Sequence, residues 1–180
     1  LSLGVHGRAA WQQWWAGVPD LQWRIIGAEE FDERRKLTHL MMPGVMPALR
    51  IMAAPEWLAQ GLQWLMSLGV FALSARAFAR PLPRATKVLL LGSGGLLISP
   101  YGFNYDMTLL IAGLMLWWAS RPTHTLYEII LMGIAYLLPL LVYIFNVTDA
   151  PMAPIILGLV FCHAVREAYR CNTPSITGSV

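Results

Sequence analysis

Between Val88 and Ser120 the chain reads VLLLGSGGLLISPYGFNYDMTLLIAGLMLWWAS, two apolar runs separated by a polar, aromatic turn. At 1.5 Å per helical residue the runs, Val88 to Ser99 and Met107 to Ser120, reach roughly 18 and 21 Å, against about 30 Å for the hydrocarbon core of a bilayer. The turn between them is therefore expected below the membrane surface, and Pro100 and Gly102 interrupt continuous helix there. Irregular backbone at that depth survives where protein buries it or where it lines a water-filled cavity. The expectation is a pocket opening outward, lined by Tyr101, Asn104, Tyr105 and Asp106.

Three further apolar segments flank this pair: Trp57 to Ala75, Ile129 to Phe145 and Met152 to Val165. Together they predict an all-α membrane protein with about five transmembrane helices. The connections between them alternate in charge. Arg76, Arg80, Arg84 and Lys87 follow the first segment, Arg121 follows the third, and Arg166 and Arg170 follow the fifth. Pro100 to Asp106 and Asn146 to Pro151 contain no Lys or Arg. Five helices with a cytoplasmic C-terminus satisfy the positive-inside rule at every connection. Three regions follow: 1–54 on the outer side, 55–170 in the membrane, and 171–180 as a cytoplasmic tail.

The outer region carries six basic residues, which is tolerable because long segments translocate largely regardless of charge. Trp11, Trp14, Trp15 and Val18 recur at helical spacing with Gln12 and Gln13 opposite, the pattern of an amphipathic helix lying in the interface and ending at Gly17 and Pro19. Glu29 to Glu33 precede Arg34, Arg35 and Lys36, an order that suits a short solvated helix. Pro43, Gly44 and Pro47 then break the chain, and Pro55 with Glu56 marks the start of the first spanning helix.

Composition agrees: 57% hydrophobic and 13% charged residues carry too much apolar surface for a soluble domain of 180 residues. The net charge of +3 is scattered between apolar runs, not gathered into a stripe, so no nucleic-acid partner is expected. Leu1 begins a stretch without a signal-peptide pattern, which reads as a fragment of a longer chain. Cys162 and Cys171 imply neither a disulfide framework nor a zinc site. His163 and Glu167 lie four apart on the last helix; two ligands make no metal site, and an ordinary helix pair accounts for them. The Gly92-Ser93-Gly94-Gly95 stretch lacks nucleotide-binding spacing and points to close helix packing. Asn146-Val147-Thr148 matches a glycosylation sequon, and Pro139 is expected to kink the fourth helix.

Two readings of Asp106 stand side by side. It can cap the helix that begins at Met107, or, as an ionisable group at membrane depth, serve a site. Tyr101 and Tyr105 can likewise be interfacial belt residues or pocket lining.

The turn Ser99-Pro100-Tyr101-Gly102-Phe103-Asn104-Tyr105-Asp106 resembles the S-P-Y-x-x-x-Y-D signature near the C-terminal end of glycosyltransferase family 87, a C-type (GT-C) family of integral membrane enzymes. Met42 to Arg50 resembles that family's M-P-S-x-x-x-A-x-R stretch, and the Trp11 to Val18 helix is similar to one found upstream in its members. The resemblance covers most of residues 10–120. It departs at Gly44, where Ser is usual, and at Ala53, where Gly is common. It implies a fragment of a GT-C-like fold in a multi-pass protein of the bacterial inner membrane. It further implies transfer of a sugar, typically mannose, from a polyprenyl phosphate carrier to a lipid or glycan acceptor at the outer face. The family's presumed catalytic base lies in an early outward loop, so no catalytic residue is expected within this chain, which would work with a preceding N-terminal half. Tyr101, Asn104, Tyr105 and Asp106 become candidates for binding carrier or substrate; a resident cofactor is not implied, and a divalent cation beside the carrier phosphate stays open.

Two rival readings use the same pattern. Short helices meeting at a pocket also build transporter sites, and a sunken turn filled by side chains would suit a structural membrane subunit. An acidic residue in an early outward loop marks the enzyme, and an inverted repeat marks the transporter.

Overall fold

The computed structural model describes residues 7–18 and 39–170. Among them the chain is all-helical, with seven α-helices and no strand: α1 (7–18), α2 (Val45–Ile51), α3 (Glu56–Phe78), α4 (Arg84–Ile98), α5 (Thr108–Ala119), α6 (Leu126–Val147) and α7 (Ala153–Arg170). The chain divides into two compact units, Leu1–His39 and Leu40–Val180.

In the first unit, α1 carries the expected tryptophan stripe. Trp14 meets Trp11 and Trp15 edge-on at ring separations of 5.8 and 5.4 Å, and Trp14 and Trp15 are exposed. The expected acidic-then-basic run at Glu29 to Lys36 and the tail 171–180 lie outside the described residues.

The second unit is an antiparallel stack of α3 to α7 preceded by the short α2. All five apolar segments are helices, each close to its expected bounds. The central contact is the α4–α5 hairpin, and two glycines set its closeness. A methyl at Gly92 would sit 2.7 Å from the Leu110 backbone, and one at Gly113 would sit 2.8 Å from Leu89 Cα. Helix backbones approach this closely only where no side chain intervenes. Gly94 leaves room for Phe161 of α7, whereas a methyl at Gly95 would meet nothing within 4 Å. Leu89, Leu97, Leu110, Leu138, Leu157 and Val160 fill the core between these helices.

One local feature departs from expectation. Pro47 does not break the chain; it sits in the first turn of α2, where its missing N–H is one of the amides without an intrahelical partner anyway. α6 runs through Pro139 as one helix, started by Thr125, whose hydroxyl accepts from the Glu128 amide while the Glu128 carboxylate accepts from the Thr125 amide at 2.8 Å.

Against five expected spanning helices, α3 and α6 are the two among the described residues that are long and apolar enough to cross a membrane. α4 and α5, with 15 and 12 residues, reach about 22 and 18 Å. Trp57, Trp64, Leu65 and Phe71 on α3, with Leu126, Ile130, Leu140 and Ile144 on α6, face outward. Soluble monomers rarely expose apolar faces of this extent, and lipid is their natural cover.

Two predictions follow from the stack. Gly92→Ala and Gly113→Ala should each lower stability by about 1–3 kcal/mol through backbone overpacking, whereas Gly95→Ala, facing open space, should be neutral or gain up to about 1 kcal/mol; thermal unfolding in detergent ranks the three. In a background lacking Cys162 and Cys171, a cysteine replacing exposed Pro83 should resist an impermeant thiol reagent in intact cells, while one replacing exposed Val147 should react. Outside labelling at position 83 would reverse the orientation drawn from the basic connections.

Candidate functional site

Two polar sites close the stack, one at each end. The first is built around Gln63, on the second turn of α3 and 4% exposed. Its Oε1 accepts from the Met46 amide of α2 at 3.1 Å. Its Nε2 lies 2.9 Å from the Leu97 carbonyl, 3.2 Å from the Ile98 carbonyl and 3.1 Å from Ser67 Oγ. This amide orientation is forced, since a backbone N–H can only donate and a carbonyl can only accept. The bonds satisfy end groups that helices leave open: a first-turn amide of α2 and the last carbonyls of α4.

Gln63 therefore brings the Met42 to Arg50 stretch against the end of α4, where the Ser99 to Asp106 turn begins. Gly44 N-caps α2 in extended conformation and contributes no side-chain bond. A methyl there would lie 3.4 Å from the Ser99 carbonyl oxygen. A serine at this position would supply an N-cap oxygen that glycine lacks.

The turn itself is partly open. Tyr101, Phe103 and Asn104 are half-buried, Tyr105 and Asp106 are exposed, and Gly102 is buried against Leu96. Phe103 and Tyr105 stack with ring centres 5.2 Å apart. Asn104–Met107 forms a single 3-10 turn, and the Asp106 carboxylate reaches back to accept from the Phe103 amide at 2.9 Å. Asp106 does close a helical turn, but from its third position and not as the N-cap of α5, a place taken by Met107. The second carboxylate oxygen stays available at the surface. Burial pushes the Tyr101 phenol above its ordinary range, so it remains a neutral donor at physiological pH.

Asn146, 2% exposed, lies at the C-terminus of α6 and donates to the Leu40 and Met42 carbonyls at 3.0 and 3.2 Å. The sequon asparagine thus ties the chain leading into α2 to α6, and its amide is not presented for glycosylation.

The opposite end holds charges that the sequence reading did not assemble. Arg121, just past α5, contacts Glu167 of α7 and lies 3.3 Å from Glu128 Oε1 of α6. Arg170 approaches Glu167 at 3.8 Å, and His163 Nε2 stands 3.7 Å from Glu128 Oε1. Trp117, fully buried, sets its ring edge-on to His163 at 5.2 Å and under the Arg121 guanidinium at 4.7 Å. His163 and Glu167 were visible as a helical pair, but Glu128 comes from 35 residues earlier and its position opening α6 reads as a cap.

Two apolar grooves run along the stack. One, of about 530 Å³, lies between α3 and α7 and includes Leu49, Leu62, Met66, Leu97 and Phe161; the other, of about 460 Å³, lies between α5 and α6 beside Trp118 and Tyr136. Neither is lined by the residues of the turn.

No family model, curated protein or solved structure matches the chain.

The stretch beside the turn carries its own strain. Ala53, closing α2, adopts a φ of 59° while its amide donates to the Arg50 carbonyl at 3.0 Å. The left-handed region costs a non-glycine residue about 1–2 kcal/mol, and glycine's extra unfolded-state freedom returns part of that. Ala53→Gly should stabilise the protein by about 0.5–1 kcal/mol, read as a higher unfolding temperature in detergent; a lower one would mean that Ala53 is not strained.

Proposed function

We propose that this chain is the membrane-embedded, C-terminal part of a glycosyltransferase similar to family 87. In this reading it crosses the bacterial inner membrane five times with its C-terminus in the cytoplasm. A sugar, mannose by resemblance, passes from a polyprenyl phosphate to a lipid or glycan acceptor at the outer face. The catalytic base belongs to a preceding segment of the same protein.

One observation carries the proposal. The two stretches that bear the resemblance, Met42 to Arg50 and Ser99 to Asp106, are 49 residues apart between Arg50 and Ser99 in sequence, yet they adjoin through Gln63 at one end of the helical unit. That end is opposite the connections rich in Lys and Arg, as chemistry at the outer face requires. The turn offers acceptors and donors of the kind that hold sugar hydroxyls: the phenols of Tyr101 and Tyr105, the amide of Asn104 and the free oxygen of Asp106. The α3–α7 groove reaches the same end at Leu49 and Leu97, an apolar bed suited to the isoprenoid chain of the carrier. A divalent cation between Asp106 and the carrier phosphate is compatible with this arrangement.

Asp106→Asn tests the role of charge. Asparagine keeps the oxygen that accepts from the Phe103 amide, so folding should be nearly unchanged, while the charge-assisted bond to a sugar hydroxyl or a cation is lost. In the protein that includes the preceding segment, transfer should fall at least about tenfold, or roughly 1.4 kcal/mol, at wild-type unfolding temperature. Full transfer activity would return Asp106 to a purely local structural role.

A further inference from the structure

Glu128, His163 and Glu167 are buried, and one ligand atom from each lies within 4.8 Å of the others. Their environment explains two of the three. Glu128 Oε2 is used by Thr125 in the helix cap, leaving Oε1 directed at Arg121 and His163. Glu167 is held by Arg121 and Arg170. His163 is different: its side chain is 6% exposed, and its Nε2 points into the cluster with no hydrogen-bond partner. A buried imidazole nitrogen without a partner costs free energy unless something fills the place it faces.

We propose that Glu128, His163 and Glu167 form a site for a first-row divalent metal ion, Zn²⁺ foremost, in which the metal exchanges with the Arg121 guanidinium. The donor set is one imidazole and two carboxylates, which suits zinc and its neighbours better than Ca²⁺ or Mg²⁺, ions that favour all-oxygen shells. Ligands about 2.0–2.2 Å from a tetrahedral zinc lie roughly 3.4 Å from one another. The 3.7 Å between His163 Nε2 and Glu128 Oε1 is close to that spacing, and Glu167, with a ligand atom within 4.8 Å of the other two, closes on it by a side-chain adjustment. Two carboxylates call for a compensating cation, and Arg121 supplies it in the absence of metal. Arg121 follows α5 on a connection, its side chain is 30% exposed, and it already lies over Trp117. It can swing outward along that ring when a metal takes its place. The bound ion would clamp α6 to the end of α7, with a fourth position left to water.

The test uses the full chain in detergent, stripped with a chelator, in a Cys162→Ser, Cys171→Ser background that removes thiolate capture. Zn²⁺ alone should bind at one equivalent and raise the unfolding temperature. His163→Gln should weaken binding at least about tenfold, the lower end of what disrupting a metal site costs, and Arg121→Gln should tighten it, because no resident cation then needs displacing. No stoichiometric binding, or binding unaffected by His163→Gln, overturns the site. Weaker binding by Arg121→Gln overturns the exchange and leaves the guanidinium a fixed strut. Should His163→Gln fail to fold, zinc-edge X-ray absorption on the parent chain decides: imidazole scattering in the first shell supports the site, and its absence overturns it.

Discussion

The buried amide of Gln63 is the contact on which the turn-bearing end of the fold depends. Helix ends expose backbone groups that must find partners, and in an apolar environment each one left unpaired costs about 1–3 kcal/mol or more. α4 stops at Ile98, one residue before the turn, so its last carbonyls end among the helices and not in water. Gln63 supplies the donor for them and, with its other atom, the acceptor for α2. A charged side chain could serve one of these duties but not both. A carboxamide donates from one atom and accepts on another without bringing a net charge into the stack.

Neutral bonds at one end contrast with ions at the other. Arg121 bridges two glutamates on α6 and α7, while Gly92 and Gly113 let α4 and α5 close on each other between the ends. Breaking a buried ionic cluster by removing one member is costly because the remaining charges stay buried. The ionic end is therefore tuned to a fixed number of cations, whichever cation that is. The amide end sets no such demand, since its bonds are all between neutral groups.

The periodic parts of the fold were legible in the sequence, and the long-range polar contacts were not. Apolar runs bounded by Pro, Gly and basic residues gave the five long helices, because the cost of an unpaired backbone in an apolar setting leaves few alternatives. The glycine stretch was readable as packing, although only the partner helix reveals that Gly92 is crowded and Gly95 is open. Pro47 misled because proline stops a helix in its interior yet is harmless in the first turn. Nothing in the local sequence around Gln63 or Asn146 announces their long-range backbone partners. The charged cluster was hidden by sequence distance, since Glu128 already has a complete local explanation as half of a capping box with Thr125. At the turn, the sequence named the four side chains but not that Asp106 spends one oxygen on the Phe103 amide.

The ionic cluster also bears on how orientation is encoded. Arg121 is the basic residue that marks the α5–α6 connection, and its charge is engaged by Glu128 and Glu167 in the folded protein. Orientation is set during insertion by Lys and Arg near helix ends, with acidic residues contributing little. In the proposed topology Arg121 acts twice: first as an unpaired cation that retains its connection in the cytoplasm, and later as a partner inside the stack. The exposed Arg76, Arg84, Lys87 and Arg166 have no such second duty among the described residues. In that topology orientation should rest mainly on the α3–α4 connection, where Arg76, Arg84 and Lys87 are exposed, and less on Arg121.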